Sequence, residues 1–269
     1  MADREGGLQI FSLAEPRRPV IASQARMPAS AERVAARDGL AHVACGEGGL
    51  VTVDLARPAD PVVLGVMDGV SVAMDVLAHG ERLYVADAGA AVPSARDSRT
   101  DLWARMHVWV VEGAPESALG LAGVVIARPR PGGLPERLGV VVSPSLIESV
   151  AALTDQPILL LADGHAGIVV VDASDPRRLA MLGTLDTPGA AHDVLLHGNR
   201  ALVAAGEAGL VQIDLSEPRA PRLLGAIDTP GEATGVAVRG RIALVADGES
   251  GLRLLDLDAE REVAFVDTP

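Results

Sequence analysis

The chain has 269 residues, 49% of them hydrophobic, and its 36 acidic and 23 basic side chains give a net charge of −13. This composition excludes a disordered chain and opposes binding to nucleic acid or to an anionic membrane surface. No apolar run approaches the roughly 18 residues of a membrane-spanning helix, and the first residues, MADREGGLQIF, are not a signal peptide, so we predict a soluble chain without membrane insertion.

Short apolar segments that end near an aspartate recur along the chain. They begin at Leu8, Leu50, Met106, Ile168, Leu210 and Leu252. Their spacings of 42, 56, 62, 42 and 42 residues indicate a period of about 42 residues that two insertions lengthen. Turns of the types Asp-Gly, Ser-x-Pro and Thr-Pro-Gly bound the segments, which is typical of strands rather than helices. Four strands in such a period predict a propeller blade, whereas a leucine-rich repeat has a period of only about 20 to 29 residues.

We therefore predict an all-β fold, a single β-propeller domain over residues 1–269 with about six four-stranded blades. The first blade is incomplete in this prediction, because MADREGGLQIFSL aligns without gaps to VADGESGLRLLDL (245–257) and places Met1 inside a second strand. At the other end, the chain stops at DTP, where another first strand would begin. We expect from this that further residues precede Met1, in which case the protein is exported or lies at the cell surface. A genuine start at Met1 would instead indicate the cytoplasm.

The third unit diverges most from the others. Its predicted third strand is MHVWVV (106–111), and two insertions, 88–105 and 113–134, lengthen the connections before and after that strand. The second insertion contains LGLAGVVIA, which is apolar enough to add a strand at the edge of the blade or, if exposed, to mark a partner site.

The first insertion is a candidate interface with a protein partner. It contains Arg96, Arg99, Trp103 and Arg105, and Trp and Arg are enriched at protein interfaces. The alternative is that Trp103 folds back over the rim of its own blade.

Aspartates recur at two positions of the repeat. Asp3, Asp87, Asp163 and Asp247 lie in the turn between second and third strands, and Asp54, Asp172, Asp214 and Asp256 end third strands. Because Asp side chains accept hydrogen bonds from backbone N–H groups two residues on, this repetition indicates a structural role. The single cysteine, Cys45, lies in an apolar run with no basic neighbour, which indicates a buried side chain rather than a nucleophile.

The residues at the entry of each first strand vary from unit to unit. Since that strand lines the central channel of a propeller, polar side chains there would converge near the axis. The candidates for ligand binding are Glu32, Asp75, Glu148, His192 and Asp193. Their carboxylate and imidazole groups suit a polar ligand or a divalent cation, and the alternative is a solvated channel mouth.

No motif assigns a catalytic residue. The segments GEGGL, GHAGI and GEAGL lack the Lys-Ser/Thr of a phosphate-binding loop, and the chain has no G-x-S-x-G and no metal-spaced pair of Cys or His. We predict no cofactor, with a divalent cation at the channel mouth as the alternative.

The strings LVTVDLARP, IVVVDASDP and LVQIDLSEP, each preceded by a Gly-containing turn and followed by LG and then DTPG or a relative of it, resemble the LVIVD repeat of a β-propeller family. This resemblance implies a propeller, often found in bacterial exported or surface proteins, with no shared catalytic activity. The function expected from it is that of a non-catalytic scaffold that presents loops to a protein or small polar ligand. The alternative is a propeller enzyme or metal-binding protein with a polar site at the channel mouth.

Overall fold

The computed structural model of the chain describes residues 1–4, 6–15, 17–89, 109–111, 123–142, 146–153, 156–175 and 179–267. Nearly all regular structure in these ranges is β-strand, and the one helix they contain is a 3₁₀ turn at Gly248–Ser250. Within the same ranges, no helix has the length and hydrophobicity needed to cross a bilayer. The chain divides into two compact units, Met1–Leu146 and Ile147–Pro269.

The first unit contains three antiparallel sheets. The first sheet has three strands: β1 (Ala2–Asp3), β2 (Gly7–Ser12) and β3 (Val20–Ala25). The second sheet has four: β4 (Arg33–Arg37), β5 (Leu40–Ala44), β6 (Leu50–Asp54) and β7 (Val62–Val66). The third sheet contains β8 (Ala73–His79), β9 (Arg82–Asp87), β10 (Trp109–Val111), β11 (Gly123–Arg130) and β12 (Gly133–Val142). Its strands lie in the order β8, β9, β11, β12, β10.

The second unit contains three four-stranded antiparallel sheets, each with its strands in chain order. The fourth sheet consists of β13 (Ser149–Ala152), β14 (Ile158–Ala162), β15 (Ile168–Asp172) and β16 (Ala180–Leu185). The fifth sheet consists of β17 (Asp193–His197), β18 (Arg200–Ala204), β19 (Leu210–Asp214) and β20 (Arg222–Ile227). The sixth sheet consists of β21 (Gly235–Arg239), β22 (Ile242–Ala246), β23 (Leu252–Asp256) and β24 (Arg261–Val266).

The core of each unit lies between the faces of consecutive sheets. In the second unit, one apolar cluster joins the fourth and fifth sheets and another joins the fifth and sixth. In the first unit, similar clusters join the first sheet to the second and the second to the third. The second and the fifth sheet each lie between two others of their unit, so their third strands are covered on both faces, and the first four residues of β6 and β19 are all buried. This burial explains why these strands are mostly apolar and do not alternate apolar with polar residues.

The third sheet departs from its predicted strand order. The strand beside β9 is β11, in which Val124 pairs with Ala86 as Leu252 pairs with Ala246 in the sixth sheet. Residues 109–111 of the predicted third strand instead form β10, at the edge of the sheet beside β12. The predicted third strand at 106–111 is therefore wrong, and 113–134 is not an insertion after it, because residues 123–130 supply the third strand. Both segments are apolar, and only their pairing partners distinguish them.

A β-bulge occurs at the same place in every sheet. In the fifth sheet Gln212 pairs with Gly225 and Ile213 with Leu223, which leaves Leu224 as the additional residue in β20. The additional residues in the other sheets are Ala22, Leu64, Leu138, Leu182 and Val263. In the second, fourth, fifth and sixth sheets the bulge falls opposite the step from the third to the fourth residue of the third strand. The same step is obtained when the count begins at Leu8 in the first sheet and at Val124 in the third. This agreement supports β11 as the third strand of the third sheet.

Candidate functional site

Three of the four turn aspartates between second and third strands, Asp87, Asp163 and Asp247, are buried, and Asp3 is half-buried. Asp247 is 0% exposed, and it accepts hydrogen bonds from the Thr229 hydroxyl (2.6 Å) and the Gly231 N–H (2.9 Å). Asp87 accepts from three backbone N–H groups, those of Ser71, Val72 and Gly89. The segment Thr229-Pro230-Gly231 thus supplies two donors to Asp247 in the following turn. These contacts confirm the predicted structural role of Asp87 and Asp247.

Aspartates that end third strands form the predicted turns as well. The carboxylate of Asp172 accepts hydrogen bonds from the backbone N–H and the hydroxyl of Ser174, and Asp214 does the same with Ser216. In each case the serine hydroxyl is the main cause of a pKa below the usual range for the aspartate, and the serine N–H adds to it. These carboxylates are turn elements rather than ligand-binding groups.

Cys45 occupies the position that Asp163 and Asp247 hold in other sheets. It is 0% exposed, as the sequence predicts. Burial, with a smaller contribution from the charge of Glu32, raises the pKa of the thiol to about 12. A thiol of that acidity is protonated at neutral pH, so Cys45 is not poised as a nucleophile.

We call the first strand of each sheet its inner strand, and the residue immediately before that strand its entry residue. Four sheets share one backbone geometry at this point. The N–H of the entry residue donates to the carbonyl that ends the second strand, at 2.8 to 3.0 Å. These entry residues are Glu32, Glu148, His192 and Thr234. The next position along the chain holds Asp193 in the fifth sheet, and the third sheet places Asp75 at the corresponding point, opposite Ala86.

Asp193 connects three neighbouring inner strands of the second unit. Its carboxylate accepts from the Ser149 hydroxyl at 2.8 Å, from the Val194 N–H at 3.0 Å and from the Val236 N–H at 3.0 Å. The residue is only 5% exposed. Because its oxygens are directed at the protein, these contacts favour a role in holding the sheets together over one in binding a ligand.

Beside this connection lies a more open group of side chains, Glu148, His192 and Glu232. His192 Nδ1 lies 2.8 Å from a Glu148 carboxylate oxygen, and its Nε2 lies 3.6 Å from an oxygen of Glu232. The side chains are 27%, 21% and 63% exposed for Glu148, His192 and Glu232. We call these three residues the Glu-His-Glu group. It places two carboxylates and one imidazole near the N-terminal ends of the neighbouring inner strands β13, β17 and β21.

The structure brings together three of the five predicted ligand-binding residues, Glu148, His192 and Asp193. The other two belong to the first unit. There Glu32 lies 3.6 Å from the Arg4 guanidinium, and Asp75, 8% exposed, accepts a hydrogen bond from the Val76 N–H. The predicted interface residues Arg96, Arg99, Trp103 and Arg105 lie outside the described residues, as does nearly all of the predicted insertion 88–105.

Sequence reasoning missed Glu232 and Ser149 as members of this region. Glu232 lies two positions before the entry residue Thr234, in the loop after Thr-Pro-Gly, where only the backbone path brings it to His192. Ser149 follows Glu148 in the sequence, and its hydroxyl donates a hydrogen bond from the fourth sheet to Asp193 in the fifth. Among the described residues, no group of three or more His, Cys, Asp or Glu side chains is arranged to hold a metal ion.

Antiparallel sheets built on one four-stranded pattern repeat along the chain and pack face to face within each unit, and this arrangement defines the protein as a β-propeller. The regularity of its turns is also that of one known repeat. The chain belongs to the LVIVD repeat family, whose model matches residues 28–68, 159–187, 188–229 and 230–258. These matches leave out the divergent third sheet.

Solved structures show the same fold at low sequence identity. One is a protein of unknown function from Desulfotomaculum acetoxidans DSM 771, with a TM-score of 0.66, 14% identity, and coverage of 92% of this chain and 72% of that one. Another is the computationally designed Ika8 protein, with a TM-score of 0.61 and 11% identity over 90% of this chain. This chain covers 63% of the designed protein, less than two thirds of its length. A comparison with curated proteins found no match.

Proposed function

We propose that this LVIVD-repeat propeller is a non-catalytic binding scaffold, and that the Glu-His-Glu group receives a basic segment of a protein partner. The observation that carries the proposal is that some acidic side chains are buried and hydrogen-bonded within the protein, whereas others remain exposed. Asp193 and Asp247 are buried and bonded to the protein, whereas Glu148 and Glu232 remain partly exposed on either side of His192. Exposed carboxylates on a chain of net charge −13 attract cationic groups.

The insertion 88–105 is the second part of the proposed scaffold. Its three arginines and Trp103 are residue types that dominate binding energy at protein interfaces. The proposed partner therefore combines a basic segment for the Glu-His-Glu group with a separate surface for this insertion.

Fluorescence anisotropy with a labelled oligolysine peptide tests the first part. We expect binding that weakens as salt is raised and that falls by about tenfold in the double variant E148Q/E232Q. The matched control is Glu217→Gln, because Glu217 is an exposed glutamate in the turn after β19, at the opposite end of the fifth sheet. Equal affinity in the double variant and in the control would refute the proposed site.

Deletion of residues 88–105 tests the second part. We expect the deletion to leave peptide binding unchanged and to remove proteins that the intact chain captures from its own host's lysate. Identical sets of captured proteins would exclude the insertion from the interface.

The metal-binding alternative is tested by thermal melting with divalent ions and with a chelator. A melting temperature that the ions raise, and that no longer responds to them in Asp75→Ala or Asp193→Ala, would replace the scaffold proposal with a metal site. We expect the melting curves to coincide.

A further inference from the structure

A groove lies between the fifth and sixth sheets, at the opposite end of the inner strands from the Glu-His-Glu group. The inner strand β17 begins beside that group at Asp193 and ends at the groove with His197. The groove has a volume of about 720 Å³, within the range of about 300 to 1,000 Å³ that is typical of small-molecule sites. It is therefore separate from the surface proposed above for a basic partner.

The floor of the groove holds a polar side chain with unused hydrogen-bonding capacity. Gln212 is 2% exposed and lines the groove beside Leu202, which is 0% exposed. Its amide oxygen accepts one long hydrogen bond from Arg200, at 3.5 Å. Its amide nitrogen makes no hydrogen bond with any described residue. That nitrogen is not one of the enclosed unpartnered polar atoms of the described residues, so it opens on the groove, where an acceptor of a ligand would gain a hydrogen bond.

The corresponding positions in neighbouring sheets are apolar. In the middle of the third strand, where the fifth sheet has Gln212, the fourth sheet has Val170 and the sixth has Leu254. An apolar side chain would fit the same register without leaving a donor unpaired. The glutamine is thus a local departure from the repeat, and it occurs on the floor of the groove.

The walls and rim offer both apolar surface and charges of opposite sign. Leu224, the bulge residue of β20, and Leu257 provide apolar walls. Arg200 and Arg241 supply guanidinium groups from the fifth and the sixth sheet. Asp258 supplies a carboxylate, whereas the carboxylate of Asp214 is held by hydrogen bonds from Ser216. Arg241 Nε also lies 3.3 Å from a carboxylate oxygen of Asp256, outside the groove lining. The rim therefore presents groups of both signs, which favours a ligand that carries both charges over a simple anion or cation.

We propose that this groove binds a small zwitterion of the amino-acid type with an apolar side chain. Its carboxylate pairs with Arg200 and its ammonium group pairs with Asp258. Its side chain lies against Leu224 and Leu257. The amide nitrogen of Gln212 donates to a ligand oxygen.

Isothermal titration with three matched probes tests this assignment. The probes are leucine, 4-methylpentanoate, which lacks the ammonium group, and 3-methylbutylamine, which lacks the carboxylate. We expect leucine to bind at least about tenfold more tightly than either analogue, because each analogue leaves one charged group of the groove, Arg200 or Asp258, without a partner. Equal affinity for leucine and one analogue, or no binding of leucine, overturns the proposal.

Two variants locate the binding in the groove. Arg200→Gln is expected to weaken leucine binding by about tenfold, and Gln212→Leu by about threefold to tenfold. Gln212→Leu is expected to fold, because Leu254 occupies the same register in the sixth sheet. Unchanged affinity in both variants, or an equal loss in the control Arg239→Gln, whose exposed side chain does not line the groove, overturns the proposal.

Oligolysine binding by the same variants keeps the two sites distinct. Arg200→Gln is expected to leave it unchanged, and E148Q/E232Q is expected to leave leucine binding unchanged. Loss of leucine binding in E148Q/E232Q would contradict a separate groove site.

Discussion

The fifth sheet passes through its four strands in chain order, whereas the third sheet takes its third strand only after an interruption and gains β10 at its outer edge. Both sheets nevertheless place their bulge opposite the same step of the third strand. The two sheets share a pairing pattern, but the lengths of chain between their strands differ. The comparison shows that a strand is defined by its partner and by the bulge opposite it, and that a long segment can be added between two strands without changing either.

The largest expected effect concerns the burial of β11. Ile126 in β11 is 0% exposed, so Ile126→Asp buries an unpaired charge and is expected to destabilise the protein by about 4 to 5 kcal/mol. Val63→Asp in β7, the outermost strand of the second sheet, is expected to cost far less, because Val63 is 45% exposed. Urea denaturation measures both, and comparable losses would contradict the inner position of β11.

A buried histidine sharpens the comparison of the second sheet with the fifth. His42 occupies the position of Leu202 and is 0% exposed, with Nδ1 3.1 Å from the Thr52 hydroxyl and no hydrogen-bond partner for Nε2 among the described residues. Burial lowers the pKa of its imidazole to about 4.

This pKa predicts a specific loss of stability in acid. Above pH 6.5 the imidazole is neutral in both the folded and the unfolded chain, and its contribution to stability is fully present. As the pH falls from 6.5 to about 4 the unfolded chain binds a proton that the folded chain does not, and the loss reaches about 3 kcal/mol. His42→Leu is expected to remove this part of the pH dependence of the urea midpoint. An unchanged profile in the variant would show that His42 is not responsible.

Two equivalent threonines provide a smaller contrast. The Thr229 hydroxyl donates to the buried carboxylate of Asp247, whereas the Thr187 hydroxyl donates to the Gly189 carbonyl, because the following turn has Ala205 in place of an aspartate. Thr229→Val is therefore expected to cost about 1.5 to 3 kcal/mol, and Thr187→Val less than about 1.5 kcal/mol. Thermal denaturation compares them, and equal losses would indicate that the carboxylate does not matter.

The smallest effect concerns the turn after β15. Ser174→Ala removes the hydroxyl that is the main cause of the low pKa of Asp172, so that pKa is expected to rise toward its usual value. A carboxylate with a lowered pKa loses its contribution to stability as the pH falls through that pKa. The free energy of unfolding of the variant should therefore decrease slightly less at acidic pH than that of the unmodified protein. NMR titration of the Asp172 carboxyl carbon measures the change. No movement of the titration midpoint would assign the effect to other groups.

The regular sheets could be predicted from the sequence because repetition fixes them. The segments that begin at Leu50, Ile168, Leu210 and Leu252 are third strands, as predicted, and the recurring aspartates bond to the turns. The third sheet could not be predicted in this way, because MHVWVV (106–111) and GVVIARPR (123–130) are both apolar. The first of them is the next apolar segment after the second strand, so the order along the chain favours it as the third strand. Only hydrogen bonding to β9 distinguishes them.

The candidate site was predictable in part for a similar reason. Variation at the entry position identified Glu148 and His192, because a residue that departs from a repeat stands out in the sequence. Pattern alone could not assign Asp193 to the neighbouring strands, since its bonds to Ser149 and Val236 join residues more than 40 positions apart. Gln212 carried a usable signal, as a polar residue in an otherwise apolar strand.

The bulge in the outermost strand of five sheets also affects how the protein behaves among copies of itself. These strands carry exposed apolar side chains, including Val62 and Val63 in β7 and Leu223 and Leu224 in β20. A straight edge of that composition would be a template for the strand of another molecule, and polymerisation would follow. The additional residue interrupts the hydrogen-bonding pattern of the edge after two or three positions. A strand of a second molecule could therefore not form a continuous ladder with it. The repeat can thus carry apolar side chains along these exposed edges at low risk of aggregation.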